Sequence, residues 1–295
     1  MILITGGNGF LGKSIIKAFE NNCELYSLSR TDGNYKVSLE KEVPMFEQSF
    51  DLVVHAAGKA HSFPKTEYES KQFYDINVTG TNNLLKGLVK KGVPKQFVFI
   101  SSVSVYGQEF GTGINENHQL EAKDAYGLSK IEAELLVNEW CDKHNVVCTI
   151  LRLPLLVGKN PPGNLRAMIK AIDKGYYFNI AGGKAKKSMV LTKDVASLIS
   201  VVAPVGGIYN LTDGIHPSFS ELSSAISKKK YLSLPLGLAK IFGRIGDLIG
   251  DRALITSLKV KKITSDLTFD DSKARRLLNW KPESILNYLK SEKIS

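Results

Sequence analysis

A glycine-rich loop set between the first apolar run and the first amphipathic segment constrains this chain more than any other feature. Ile2-Leu3-Ile4-Thr5 runs into Gly6-Gly7-Asn8-Gly9-Phe10-Leu11-Gly12, and Lys13–Glu20 follows with helical periodicity. Glycines at 6, 9 and 12 permit a tight turn with close backbone approach, and a helix N-terminus at that turn favours an anion such as a pyrophosphate. A glycine loop alone is weak evidence; this one gains meaning from heading an alternating series of strands and helices. Glu24–Ser29 and Asp51–His55 read as strands, and Tyr74–Lys91 as a helix with Leu84, Leu85, Leu88 and Val89 on one face. Gln96–Ser101 reads as a strand, Ala125–His144 as a long helix and Val146–Leu151 as a further strand. Strand and helix in alternation predict an α/β protein with a parallel sheet covered on both faces and right-handed crossovers.

The pattern changes after Leu151. Pro154, Gly158, Pro161, Pro162 and Gly163 mark a loop leaving the sheet. Helices are expected at Leu165–Lys174 and Asp194–Val202, one more sheet strand at Gly207–Leu211, and mostly helix from Ser220 onward. The resulting architecture is a Rossmann-like doubly wound sheet, built from residues 1–157 and about 185–212, with a smaller, mostly C-terminal lobe from about 158–184 and 213–295. Within Leu234–Leu258, the residues Leu238, Ile241, Phe242, Ile245, Leu248 and Ile249 recur at helical spacing. The expectation is a helix in the core of the lobe. The alternative is a peripheral membrane helix, with Lys240, Arg244 and Arg252 facing head groups.

Composition removes several classes of function. Three cysteines, Cys23, Cys141 and Cys148, with no C-x-x-C pair, argue against a disulfide framework and a zinc site, and suit the reducing cytoplasm. No signal peptide is expected, and no apolar run is long enough to span a membrane. The net charge of +10 points to an anionic partner or to a solvated lysine-rich surface. The lysine clusters are not interleaved with aromatics, so nucleic acid is not an expected partner.

Two further positions carry chemistry. The second strand ends at Ser29-Arg30-Thr31, where an acid would read the ribose 2′-hydroxyl of NAD and an arginine the 2′-phosphate of NADP. Arg30 there favours NADP(H), and Asp32 two residues on keeps NAD(H) open. Tyr126-Gly127-Leu128-Ser129-Lys130 places a phenol and an ammonium on one face of a helix. A phenol ordinarily near pKa 10 is a poor base at neutral pH, and a neighbouring ammonium together with the positive nicotinamide of an oxidised cofactor lowers that value. Upstream, Phe97-Val98-Phe99-Ile100 ends in Ser101-Ser102, a hydroxyl able to hold a substrate oxygen, and Asn77 is set to organise a proton-relay water.

The ordered set Thr5-Gly6-Gly7-x-Gly9-Phe10-Leu11-Gly12, His55-Ala56-Ala57-Gly58, Asn77-Val78-x-Gly80-Thr81, Ser101-Ser102-x-Ser104-Val105-Tyr106-Gly107, Tyr126-x-x-x-Lys130 and Arg152-x-Pro154 resembles the extended short-chain dehydrogenase/reductase superfamily. The resemblance is to its nucleotide-sugar epimerase/dehydratase branch, of which UDP-glucose 4-epimerase is typical. It implies Ser102, Tyr126 and Lys130 as catalytic residues. Gly6, Gly9, Phe10, Leu11, Gly12, Arg30, Ala56, Ala57, Gly58, Asn77 and Pro154 are implied around the cofactor, together with Tyr126 and Lys130. Lys59, His61, Ser104, Asn164 and Lys187 are implied at the sugar and its diphosphate, beside Ser102 and Tyr126. No metal is expected. A homodimer through the helices holding Asn77 and Tyr126 is implied by the resemblance alone. Dehydratases of this branch carry Thr-Asp-Glu where this chain has Ser102-Val103-Ser104, which argues against dehydration. The reaction expected is oxidoreduction at C4 of a nucleotide-diphosphate sugar, with Arg30 tilting the balance towards a 4-keto-reductase over an NAD-dependent 4-epimerase. A dinucleotide sensor or nucleic-acid-binding protein without chemistry is the remaining alternative, opposed by the complete Ser102, Tyr126 and Lys130 group.

Overall fold

The computed structural model describes residues 1–21, 23–60, 64–227, 229–250 and 256–291. The chain opens with β1 (Ile2–Thr5), α1 (Phe10–Phe19), β2 (Leu25–Ser29), β3 (Tyr35–Lys36) and β4 (Leu52–His55). Helix α2 (Glu67–Tyr74) passes through a π-helical turn, Asp75–Thr79, into α3 (Gly80–Lys91), so the expected single helix begins earlier and is interrupted. Then come β5 (Gln96–Ser102), β6 (Gly111–Ile114), α4 (Ala125–His144), β7 (Val147–Leu153), β8 (Leu155–Val157), α5 (Gly163–Asp173), β9 (Asn179–Ile180), β10 (Met189–Leu191), α6 (Thr192–Val202) and β11 (Gly207–Asn210). The remainder is α7 (Phe219–Ser227), β12 (Ser233–Leu234), α8 (Leu236–Ile249), α9 (Ser257–Thr264), β13 (Leu267–Phe269), α10 (Ser272–Leu278) and α11 (Ile285–Ser291).

Seven strands form one sheet in the order β11-β7-β5-β4-β1-β2-β3. Every pairing in it is parallel. The chain runs outward from β1 through β2 to β3, then returns to β4 on the other side of β1. The order therefore reverses between β1 and β4, and ligands of open α/β sheets bind in the crevice beyond the strand ends at such a point. Alternation along the strands fills both faces. Ile4, Val54 and Val98 meet Leu11, Ile15 and Phe19 of α1 and Val195 and Ile199 of α6 on one side. Leu3, Val53, Phe97 and Phe99 meet Leu84 and Leu88 of α3 and Ala133 and Val137 of α4 on the other. Each such side chain removed from water stabilises the fold by about 1.5–3 kcal/mol. A separate cluster joins β8 and β10 to α5, α7 and α11 through Val157, Leu165, Met189, Leu222 and Ile285.

The expected lobe-core helix within Leu234–Leu258 is overturned. Helix α8 forms, but Leu238, Ile241, Phe242, Ile245, Leu248 and Ile249 are all exposed, Leu248 to 90%. Ala239, Gly243 and Gly246 are the residues it buries. A Cβ on Gly243 would lie 3.1 Å from the Ser257 backbone, so small residues let α8 settle closely against α9 while the large ones face outward. Arg252, the third head-group candidate, lies outside the described residues.

Candidate active site

The glycine loop closes over the reversal point between β1 and β4. Gly6 adopts φ +72°, where a side chain would be strained, and a Cβ there would lie 2.6 Å from the Ala57 backbone nitrogen. A Cβ on Gly12 would lie 2.1 Å from the Gly6 carbonyl oxygen. Glycine at both positions lets α1 start tightly against the end of β1, with Gly9 at its N-cap and no side chain capping the first turn. The first N–H groups of a helix have no partner within it, and they suit a pyrophosphate. The side chain of Leu11 is buried in the sheet core, so only its backbone can face a dinucleotide. The ring of Phe10 sits beside Gly158, at the end of β8. Pro154 is buried between β7 and β8.

At the tip of β2, Ser29 Oγ accepts from the backbone N–H groups of Thr31 and Asp32 and from Asn8 Nδ2 of the glycine loop. Arg30 projects from this turn into solvent.

A buried chain of hydrogen bonds, absent from the sequence-based expectations, ties this region together. Thr5 Oγ1 lies 2.6 Å from His55 Nδ1 and accepts from the Ala57 N–H. His55 Nε2 lies 2.8 Å from Thr81 Oγ1, and the Thr81 hydroxyl donates to the Asn77 carbonyl. Because Thr81 spends its one proton on Asn77, His55 Nε2 must be the protonated ring nitrogen. Nδ1 then accepts from Thr5. Burial, and next the charge of Lys130, hold His55 neutral with a pKa of about 3. The signal was a histidine ending an otherwise apolar, fully buried strand.

Asn77 occupies the π-helical turn, a distortion common at functional sites. Its Nδ2 donates to the Lys59 carbonyl and to Ser129 Oγ, and its Oδ1 accepts from the Lys59 N–H. Both amide protons are spent, so Asn77 clamps the loop after β4 to α4 rather than donating to a relay water. Lys59 Nζ bonds Gln72 Oε1 and lies over the Phe73 ring, which directs it towards α2. Gly58 lies between these groups: a Cβ there would be 3.0 Å from Asn77 Oδ1 and 3.4 Å from Lys130 Nζ. Ala56 and Ala57 precede it, both half-buried. His61 lies outside the described residues.

Asp124 caps α4 by accepting the Gly127 N–H at 3.0 Å, which puts Tyr126 in the first turn. A Cβ on Gly127 would lie 2.9 Å from the Ser104 carbonyl, so glycine brings that turn onto the 3₁₀ turn Val103–Tyr106 at the end of β5. The Ser102 hydroxyl comes within hydrogen-bonding reach of Tyr126. It also accepts from the Ser104 N–H and lies 3.1 Å from Ser104 Oγ. Without a cofactor the phenol is not acidified. Burial pushes the Tyr126 phenol above its ordinary value, Ser102 pulls it back in part, and Asp124 raises it. Lys130 Nζ donates to the Ile100 carbonyl at 2.8 Å and lies over the Phe99 ring. Burial lowers its pKa to about 8, against the opposing charge of Glu134. That carboxylate is held by Arg152, buried beside it at 2.7 Å.

Asn164 is exposed in the first turn of α5. Lys187, half-buried, has its pKa lowered by burial and lies near Asp266 and Lys262. Among the described residues no cluster of His, Cys, Asp or Glu could hold a metal ion, and no helix is long and apolar enough to cross a membrane.

The cradle fits a dinucleotide: the uncapped N–H groups at α1 would meet its phosphates, and Lys130 has ammonium protons beyond the one given to Ile100. The NAD-dependent epimerase/dehydratase family matches residues 2–211, and the chain belongs to it. It is therefore an enzyme of the extended short-chain dehydrogenase/reductase type. It is 28% identical to the UDP-glucose 4-epimerase of Vibrio cholerae, over 97% of this chain and 92% of that one. It is 26% identical to the N-acetyl-alpha-D-glucosaminyl-diphospho-ditrans,octacis-undecaprenol 4-epimerase of Escherichia coli O157:H7, over 92% and 88%. The fold matches that of UDP-glucuronic acid 4-epimerase from Bacillus cereus, solved with UDP-glucuronic acid and NAD, at TM-score 0.76 and 18% identity over 99% and 97% of the two chains.

Proposed function

We propose that the protein is a 4-epimerase acting on a sugar carried by a diphosphate. Residues 1–157 and about 185–212 take the dinucleotide, and the smaller lobe takes the sugar. The observation that carries this reading is the convergence of Ser102 and Tyr126, with Lys130 one turn further along α4, at the crevice where the sheet order reverses. Ser102 holds the C4 oxygen. Tyr126 takes its proton on oxidation and returns it on reduction. A bound nicotinamide dinucleotide supplies the hydride acceptor and donor. Lys130 positions the nicotinamide ribose and adds the positive charge that the buried phenol requires. Burial raises the Tyr126 phenol above its ordinary value in the protein alone, so a bound cofactor has to supply the further charge that favours its phenolate. Asn164 and Lys187 bind the diphosphate.

Epimerase stands first because the two relatives reported above, each covering more than nine-tenths of this chain, are named as 4-epimerases. Their names give different carriers, UDP in one and undecaprenyl diphosphate in the other, so the assay offers both. Tyr126→Phe should lower turnover about 100- to 10,000-fold while leaving the bound dinucleotide content unchanged. Undiminished turnover would refute the acid/base assignment. NAD retained by the purified protein supports epimerisation.

A single-pass NADPH-dependent 4-keto-reductase is the second reading, favoured by the exposed Arg30 at the tip of β2. Arg30→Asp should then shift the preference from NADPH towards NADH, and an unchanged preference removes this reading. Exposed Leu128 and Leu135 on α4 and Tyr68 on α2 support a homodimer through those helices.

A further inference from the structure

We infer that α8 docks this protein onto an anionic lipid bilayer. At about 100° per residue, Leu238, Ile241, Phe242, Ile245, Leu248 and Ile249 occupy a continuous apolar arc of about 120°. All six are exposed. The small face formed by Ala239, Gly243 and Gly246 is buried, Gly243 against the start of α9 and Ala239 against Val260 of α9 and Ile180 of β9. The third face carries Lys240 and Arg244, both exposed, bordering the apolar arc. This face has one acid, Asp247, and its carboxylate accepts from the Ser257 N–H at the start of α9.

A large apolar stripe with a cationic flank, on a helix unable to span, is the pattern of a helix lying in the bilayer interface. Monomeric proteins rarely expose contiguous apolar patches of this kind without a partner. A cavity of about 480 Å³ opens between α8 and α9, lined in part by Lys240, Arg244, Lys261 and Val260. Those cations can receive head-group phosphates while the stripe enters the acyl boundary. The neighbouring chain extends the same chemistry, with Lys229, Lys230 and the 87%-exposed Leu232 just before β12.

Charge complementarity selects the occupant. The whole chain carries +10, so a second copy would bring like charge against the basic flank. Anionic head groups attract it, each basic residue near the surface adding to binding. On the function proposed above, docking would also bring the substrate lobe to a membrane-borne sugar carrier. That consequence rests on the proposed function, whereas the docking does not.

The test is co-sedimentation of the full chain with phosphatidylcholine vesicles, with and without phosphatidylglycerol. Binding is expected to need phosphatidylglycerol and to weaken with salt. Ile241→Ser combined with Ile245→Ser should cut partitioning at least roughly tenfold. Lys240→Glu combined with Arg244→Glu should abolish the preference for phosphatidylglycerol. Both double variants alter exposed side chains, so melting temperature and turnover on a soluble nucleotide sugar should match the parent. A parent chain that fails to sediment with phosphatidylglycerol at low salt overturns the inference. So does an apolar double variant that binds like the parent. A dimer in vesicle-free solution that the apolar double variant splits would also overturn it, because the stripe would then be covered by a second copy.

Discussion

In α1 the apolar positions Leu11, Ile15 and Phe19 are buried between the sheet and α6, whereas in α8 six large apolar side chains face outward and the small residues are buried. Both helices have strong apolar periodicity, and both form. They differ in what surrounds them. Helix α1 is laid across a sheet face by the glycine loop, and its large side chains fill that face. Helix α8 meets no sheet face; it packs mainly on α9, with Ala239 also against Ile180 of β9, and close approach selects Ala239, Gly243 and Gly246 for the buried side. Periodicity thus fixes the existence of a helix but not which face becomes the core. The face of small residues was the signal in α8, and it competes with the louder apolar stripe.

The largest effect that separates the two helices is truncation of matched isoleucines. Ile15 is completely buried and Ile245 is 47% exposed. Ile15→Ala should lower stability by about 2–5 kcal/mol through lost burial and a residual cavity. Ile245→Ala should stay within about 0.5 kcal/mol. Denaturant unfolding of both variants checks this. Similar losses at the two positions would mean that the α8 stripe is covered in solution, and the contrast between the helices would fail.

What was legible in the sequence follows the same division. Helix α4 runs over the expected residues Ala125–His144 because a cap at Asp124 and an αL exit at Asn145 mark both ends. The central strands were legible because each is an apolar run between helices. Strands β3, β9 and β12, two residues each, carry no period to read. The π-helical turn at Asp75–Thr79 was invisible, since one extra residue in a helix leaves the hydrophobic pattern nearly unchanged. Of the candidate site, Tyr126 and Lys130 were singled out by spacing and Ser102 by its place at a strand end, their roles being implied by the resemblance; in the fold Ser102 and Tyr126 interact. His55, Thr5 and Thr81 were passed over because hydrogen bonds between strand and helix have no local spacing. The raised pKa of Tyr126 in the protein without cofactor was hidden for a related reason. Burial depends on the whole fold, and i, i+4 spacing says only that two side chains share a helix face.

The buried imidazole supplies the next contrast, in pH. His55 folds neutral with a pKa of about 3, against an ordinary value near 6.5. Its contribution to stability is present above about pH 6.5 and is lost as pH falls towards the folded value, because only the unfolded chain takes up the proton. By pH 5 the loss should be about 2 kcal/mol. Hydrogen exchange should show β1 and β4 losing protection with acid, while the amides of α8 change little. His55→Gln should flatten the stability profile between pH 5 and 7. An unchanged slope would mean that the imidazole is not the group sensing acid in this half of the molecule.

The smallest effect has the opposite sign in the two helices. A Cβ added to Gly237, in the first turn of α8, meets nothing within 4 Å. Gly237→Ala should therefore stabilise the chain by at most about 0.5–1 kcal/mol, by reducing the freedom of the unfolded backbone. In α1 the same methyl on Gly12 would be driven into the Gly6 carbonyl, where the loop has no room to give. A rise in melting temperature for Gly237→Ala would show that glycine in α8 has only a conformational cost. A fall would mean that something packs against its first turn in solution, and the outward face of this helix would then be a contact surface along its whole length.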